Sequence, residues 1–335
     1  MQTEPANVLN MRYIAFPGAL NPNDTRLSVL GFGCSAVLGR SSRNESLVAL
    51  KTAFDAGITF YDNARSYGYG ASEGLLGQFL QGRRDKVILC TKFGILPVAR
   101  NWKQMMKPVA RAAVRIVPSL RQAAQRQAAN QFNANQFSLT TLQSSLETSL
   151  RQLRTDYLDM LLMHEPPASV LDRDDLLEAL GRLVEEGKVR MAGLSADTSV
   201  IEKMFTARPP VLTTAQFPVN LSNIGFTAQT AQQNGMFQVA NHPFGGPTGV
   251  TVSRERIAKL AKSPELSAGL REKLASDDPQ LLLELIFNAI LDGTGISAVI
   301  PAMMQPAHIR ANVQAIESCR FTSEELAEIR AALSE

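Results

Sequence analysis

The chain has few cysteines, a single tryptophan and no long apolar run. Its three cysteines, Cys34, Cys90 and Cys319, cannot build a disulfide framework and show none of the close pairings of a zinc site. No His, Asp or Glu set has metal-ligand spacing either, so no metal is expected. Cys34 and Cys90 lie within apolar runs, which predicts buried, inert thiols in a reducing compartment. No stretch approaches the ~18 apolar residues of a membrane span. The opening residues MQTEPANVLN lack the basic-then-apolar order of a secretory signal. The expectation is a cytoplasmic protein with no integral membrane segment. An excess of one charge is also missing: the net charge is +3, so no global field points to nucleic acid. Finally, no GxGxxG follows the first apolar run, which argues against a Rossmann domain.

What is present is alternation. Short apolar runs and helical segments succeed one another along the chain. Strands are predicted at Leu27–Cys34, Ile58–Asp62, Lys86–Lys92, Tyr157–Met163, Arg190–Leu194, Val211–Gln216, Met236–Ala240 and Ser297–Ile300. The helices between and after them are Asn44–Ala56, Ser72–Leu80 with Ser72 as N-cap, Ser138–Arg154, Arg173–Glu186, Thr198–Thr206, Phe226–Asn234, Pro279–Leu291 and Pro306–Ile316. Ser323–Leu333 reads as one further helix. Eight β-then-α units imply parallel strands with right-handed crossovers. Eight close naturally into a (β/α)8 barrel, here taken as a single domain over residues 1–335. With 335 residues, 45% of them hydrophobic, the chain is long enough for one barrel of this kind.

Two connections exceed the usual ~2–6 residues. Leu96–Phe137 follows the third predicted strand and Gly245–Asp278 the seventh, both at the end where such barrels place their sites. The first contains Arg100, Lys103, Lys107, Arg111, Arg115, Arg121 and Arg126 and no acidic residue. Its apolar positions Trp102, Met105, Val109, Ala113, Ile116 and Leu120 recur as on one helix face, interrupted by Pro108 and Pro118. It reads as a solvated lid, as a surface that attracts an anionic substrate, or as a membrane-surface or partner-binding helix.

Three strands end in residues that stability alone does not call for. Asp62 closes FYD, Lys92 closes KVILCTK and His164 closes YLDMLLMH, while Tyr67 lies five residues past Asp62. Singly, each has an ordinary explanation: a turn cap, a snorkelling lysine, a core histidine, a surface aromatic. Together the four types suit one chemistry, delivery of a proton to a carbonyl oxygen. Free tyrosine, with pKa ≈ 10, is a weak acid near neutrality. A lysine ammonium within ~4–6 Å would lower that value by about 1–3 units, an aspartate would hold the lysine, and a histidine would orient the oxygen.

At these residues the chain resembles the aldo-keto reductases. GITFYDNARSYGYGASEGLLGQFL is similar to the family's aspartate–tyrosine segment, KVILCTKFG to its lysine strand and SLETSLRQLRTDYLDMLLMHEP to its histidine segment. LVEEGKVRMAGLSA and ISAVIPAMMQPAHIRANVQAI resemble later segments. The resemblance implies a catalytic tetrad of Asp62, Tyr67, Lys92 and His164. It also implies an NAD(P)H-dependent oxidoreductase, a carbonyl reductase or alcohol dehydrogenase acting on a small molecule. A redox-inactive nucleotide-sensing barrel, or an elimination or isomerisation enzyme built on the same tetrad, remains open.

On the cofactor side the resemblance implies Ser195 and Gln216 at the nicotinamide carboxamide, although the family's asparagine beside the serine is Ala196 here. The position of the stacking aromatic is Asn241, followed by His242 and Phe244. The phosphate-binding pattern reads Ala302, Met303, His308 and Ala311, and only its last residue, Asn312, matches. NADP(H) is implied, with NAD(H) left open, since a 2′-phosphate without its basic partners loses charge-assisted hydrogen bonds. Arg310, Arg254 or Arg256 are candidates to replace them.

Overall fold

Every second residue of the central strands points into one shared interior, and those residues are apolar until the last. Phe60, Ile88, Cys90, Met160, Leu162, Met191, Phe237, Val239, Ala298 and Ile300 form a single buried cluster. The strands carrying them, in a computed structural model describing residues 11–19, 26–97, 132–133, 136–233 and 235–334, form one parallel eight-stranded sheet. They are β3 (Gly31–Gly33), β4 (Phe60–Asp62), β5 (Ile88–Phe93), β8 (Leu158–His164), β9 (Val189–Ser195), β10 (Leu212–Pro218), β11 (Phe237–Asn241) and β12 (Ala298–Ile300). Each pairs with the next in that order. The ends meet through a parallel bridge between Leu30 and Val299, and the Gly33 N–H donates to the Pro301 carbonyl at 3.3 Å. This is a (β/α)8 barrel, as the alternation predicts.

The N-terminal mouth is plugged by an antiparallel hairpin, β1 (Tyr13–Ala15) with β2 (Arg26–Ser28). Leu27 and Phe16 join the interior cluster, and Phe16 meets Phe237 edge-on at 6.2 Å. The single strand expected over Leu27–Cys34 is therefore two, one serving the hairpin and one the barrel. A second pair, β6 (Leu96–Pro97) with β7 (Phe132–Asn133), closes the base of the first insertion. The basic residues and the helical pattern expected between them lie outside the described residues.

The helices bury their inner faces against the strands. α1 (Arg43–Asp55) begins with a capping box between Ser42 and Glu45, two N-terminal amide donors thereby satisfied. α2 (Ser72–Phe79) packs against α3 (Leu139–Leu153) so closely that a Cβ on Gly77 would overlap backbone at Gln152 and Leu153. Ser72 is not the N-cap of α2, as expected, but its first helical residue. Ala71 precedes it in helical geometry, and the Ser72 hydroxyl is buried without a partner among the described residues. The chain enters α2 straight from a left-handed turn, so no extended residue is available to reach back as a cap.

α4 (Asp174–Glu185) and α5 (Thr198–Ala207) follow the prediction. The helix expected at Phe226–Asn234 is a single turn, α6 (Thr227–Thr230), entered through a short 3₁₀ turn. The second insertion contains α7 (Gly249–Leu260) and α8 (Ala268–Leu274), so its length is mostly helix. α9 (Gln280–Leu291), α10 (Pro306–Glu317) and α11 (Ser323–Ser334) complete the layer. Among the described residues no helix is long and apolar enough to cross a membrane.

Candidate active site

The alternation that fills the barrel with apolar side chains changes character at its C-terminal end. In phase with Phe60 comes Asp62, with Cys90 comes Lys92, with Leu162 comes His164 and with Val239 comes Asn241. On β9 and β10 the same alternation reaches Ser195 and Gln216. Six polar side chains thus share one mouth because each lies at or near the C-terminal end of its strand in the same inward phase.

Lys92 and Asp62 are 1% and 4% exposed. The ammonium donates to Asp62 Oδ1 at 2.6 Å and to the Asn63 carbonyl at 3.0 Å. Burial works against the charge on Lys92, but the carboxylate of Asp62, aided by Tyr67 and Cys90, outweighs it and raises the lysine above its ordinary value. The same oxygen of Asp62 accepts from Gln216 Nε2 at 3.0 Å, and Gln216 Oε1 accepts from the Ser195 hydroxyl at 2.7 Å. A continuous chain Ser195–Gln216–Asp62–Lys92 therefore crosses the mouth.

Tyr67 lies outside the strands, in the turn after β4. Its ring stands over the Lys92 ammonium, 5.3 Å from nitrogen to centroid, and meets the His164 ring edge-on at 5.8 Å. The turn is tight because Gly68 (φ +57°) lies against the Val37 carbonyl, where a Cβ would come within 2.6 Å of the oxygen. The tetrad read from the sequence is thus brought together. One expectation about it is corrected. Burial raises the Tyr67 phenol to about 12, and Lys92 only partly offsets that. The Asp62 carboxylate adds to the rise, so the phenol stays protonated.

His164 is pushed down to about 3, first by burial and then by the Lys92 charge, so its imidazole is neutral. Its Nδ1 is buried with no partner among the described residues. Beneath the tetrad, Cys34 and Cys90 are buried thiols, each raised by desolvation and then by Asp62. Cys319 is exposed. On the rim, Glu165 follows His164 with φ +51° and donates its N–H to the Ser195 carbonyl at 2.8 Å. Its carboxyl is raised by burial and by Asp197.

Of the remaining predicted cofactor residues, Asn241 shares the mouth and the others are dispersed. Asn241 ends β11 with its Oδ1 buried and unpartnered among the described residues. His242 is exposed at φ +50°. Phe244 is half-buried and packs edge-on against Phe287 of α9 at 5.7 Å. Asn312 is buried, its amide donating to Met303 Sδ at 3.3 Å. Ala302, His308 and Arg310 are exposed, and the last two carry no ion pair among the described residues. The nicotinamide end fits a carboxamide, with a hydroxyl and a primary amide at adjacent strand ends and an orphaned amide oxygen on β11. Near Asn312, α10 exposes Arg310 and His308 rather than a buried cradle.

Two features escape the sequence. The Gln216–Asp62 bond joins residues far apart in the chain, and no local signal announces it. A buried cluster of Arg65, Glu73, Thr91 and Ser149 behind the Tyr67 turn is equally silent: only the glutamate in the first turn of α2 stands out, and a helix N-terminus explains it without a partner.

Comparison with known proteins shows the family and the fold. Residues 29–334 match the model of the Aldo/keto reductase family. The chain belongs to that family. It is 32% identical over 203 residues to the aldo-keto reductase YhdN of Bacillus subtilis, covering 58% of this chain and 50% of that protein. A soybean relative called probable aldo-keto reductase 1 is matched over 49% of its length, so the alignment spans about half of these two relatives. L-galactose dehydrogenase of Arabidopsis thaliana is 24% identical over 94% of this chain and 93% of its own. Among solved structures, the holo form of aldo-keto reductase AKR11C1 from Bacillus halodurans superposes with TM-score 0.68 at 23% identity, covering 97% of both chains. An aldo/keto reductase from Klebsiella pneumoniae in complex with NADP and acetate gives 0.62 at 23% identity, covering 92% of both.

Proposed function

We propose that this protein is an NADP(H)-dependent carbonyl reductase, working equally in reverse as an alcohol dehydrogenase. The observation that carries the reading is the convergence of Tyr67, His164 and the buried Lys92–Asp62 pair at one end of the barrel. Aldo-keto reductase structures from Klebsiella pneumoniae in complex with NADP and with NADPH support the cofactor.

NADPH, when bound, supplies hydride to the carbonyl carbon. Ser195, Gln216 and Asn241 would hold its carboxamide through hydroxyl and amide groups, and Arg310 and His308 would face its phosphate. The protein's own task is the proton. Tyr67 gives up its phenolic proton as negative charge grows on the carbonyl oxygen. Lys92, fixed by Asp62, stabilises the phenolate left behind. Because Tyr67 starts near 12, this stabilisation acts mainly in the transition state, where it accelerates the reaction most. We assign the imidazole proton of His164 to Nε2, because placing it on the partnerless Nδ1 would bury an unmatched donor. Nε2–H then donates to the substrate oxygen and sets its approach to Tyr67.

The substrate is a small carbonyl compound. The described rim carries Glu165 and Asp197, which do not favour an anion; the cations that would favour one fall within the insertion outside the described residues. The reading is tested by mixing purified protein with NADPH and a panel of aldehydes and ketones. Oxidation of NADPH that requires the carbonyl compound supports it, and NADPH binding without turnover on any member of the panel overturns it.

A further inference from the structure

Behind the Tyr67 turn, one carboxylate gathers three donors from three different elements. Glu73, in the first turn of α2, is 1% exposed. Its Oε2 accepts from Arg65 Nη1 at 2.5 Å, and its Oε1 accepts from the Thr91 hydroxyl at 2.7 Å and the Ser149 hydroxyl at 2.7 Å. Arg65 is two residues before Tyr67, Thr91 is the residue before Lys92 on β5, and Ser149 is on α3. The carboxylate therefore ties the turn of the tyrosine to the strand of the lysine and fixes both to the outer layer.

The backbone repeats the same connection. Past the end of β4, the Asn63 N–H donates to the Cys90 carbonyl at 2.9 Å and the Arg65 N–H to the Lys92 carbonyl at 3.2 Å. Beyond Arg65 the ladder stops. The next stretch contains three successive left-handed residues, Gly68 (φ +57°), Tyr69 (φ +58°) and Gly70 (φ +87°). Tyr69 is a side chain that rarely adopts this conformation. The turn lies close against the Val37 carbonyl at Gly68 and against Pro97 at Gly70. The Arg65–Glu73 ion pair closes it at the other end.

We propose that Arg65 and Glu73 are positioning residues for proton transfer: their buried ion pair staples the turn so that the Tyr67 hydroxyl is held at fixed distance from Lys92 and His164. The proposal rests on the reading of Tyr67 as proton donor. A buried ion pair is a poor device for stability alone, since matched neutral replacements are often as stable or more so. Catalysis, by contrast, is sensitive to geometry, and misplacement of a reacting group by about 1 Å can cost ~10²-fold in rate.

The test uses the double variant Arg65→Met/Glu73→Gln, which removes both charges while leaving the glutamine able to meet Thr91 and Ser149. NADPH affinity is followed by nucleotide fluorescence, stability by thermal unfolding, and turnover with NADPH and 4-nitrobenzaldehyde. The expected result is a melting temperature within a few degrees of the parent, NADPH affinity within about threefold, KM little changed and kcat lowered roughly 10–100-fold. Adding Tyr67→Phe to the double variant should cost far less than Tyr67→Phe costs the parent, because both changes act on one proton. Losses that multiply, or a kcat within twofold of the parent, overturn the proposal. Should the double variant fail to fold, Ser149→Ala cuts the tie to α3 alone. A kcat loss of a few-fold at unchanged NADPH affinity is then the supporting result, and an unchanged kcat the contrary one. Tyr67→Phe in the parent separates the two ideas: if that variant stays active the proton-donor reading falls, whereas an inactive Tyr67→Phe beside a fully active double variant removes only the staple.

Discussion

Gln216 reaches across the barrel from β10 to donate its amide to Asp62 Oδ1 at 3.0 Å, the same oxygen that holds the Lys92 ammonium at 2.6 Å. The residue proposed for the cofactor carboxamide thus also bears on the Lys92–Asp62 pair beside the proposed proton donor. Replacing Gln216 by Leu removes both contacts. The expected outcome is an NADPH affinity weaker by about tenfold together with a fall in kcat, seen by fluorescence titration and by turnover at saturating NADPH. A change confined to affinity would show that the bond to Asp62 has no catalytic role.

The Lys92–Asp62 pair should reveal itself in stability. Lys92→Met leaves a carboxylate buried and uncompensated, which costs about 3–5 kcal/mol. Asp62→Asn/Lys92→Met removes both charges and should recover most of that loss while remaining inactive. Urea unfolding of the three proteins checks this, and a double variant no more stable than Lys92→Met would contradict it.

His164 gives a pH signature. Its folded value, about 3, lies below its ordinary 6.5, so between those limits the unfolded chain binds a proton that the folded protein does not. Stability then rises with pH in this window and is lost as pH falls through it. The slope is up to ~1.4 kcal/mol per pH unit for one proton, reduced by the ring's remaining exposure. His164→Gln should flatten the difference between pH 6.5 and pH 4.5. Parallel stability profiles for parent and variant would exclude a buried neutral imidazole.

Much of the barrel was legible because strand ends and apolar alternation are local properties. Asp62, Lys92 and His164 stood out as polar residues closing apolar runs, and the structure gives them one mouth. The β1–β2 hairpin was missed because three-residue strands carry too little pattern. The helices α7 and α8 were hidden within a stretch judged by its length alone. The lowering of Tyr67 by a nearby ammonium is legible, but burial outweighs it, and spacing cannot show how deeply the ring is buried or that Asp62 pairs with Lys92. The Ser72 cap failed for a related reason: a left-handed entry through Gly68–Gly70 depends on contact with Val37, distant in sequence.

On the proposed reading, cofactor preference is set by residues of α10. Met303 is buried and accepts from the Asn312 amide, while Arg310 and His308 lie exposed on α10. Discrimination between NADPH and NADH should be under roughly 100-fold in affinity, fewer charge-assisted contacts being available. Arg310→Gln should reduce it further while leaving NADH binding unchanged. An unaltered preference in that variant would place the phosphate elsewhere.

The most direct measurement is single-turnover reduction by Tyr67→Phe, with NADPH affinity measured on the same sample. General acid catalysis is worth ~10²–10⁴-fold, and Tyr67 is given no part in holding the cofactor. The account predicts a rate lowered by at least 10²-fold with NADPH affinity within a few-fold of the parent. A variant that keeps more than about a tenth of the parental rate would contradict it and place the proton donor on another residue.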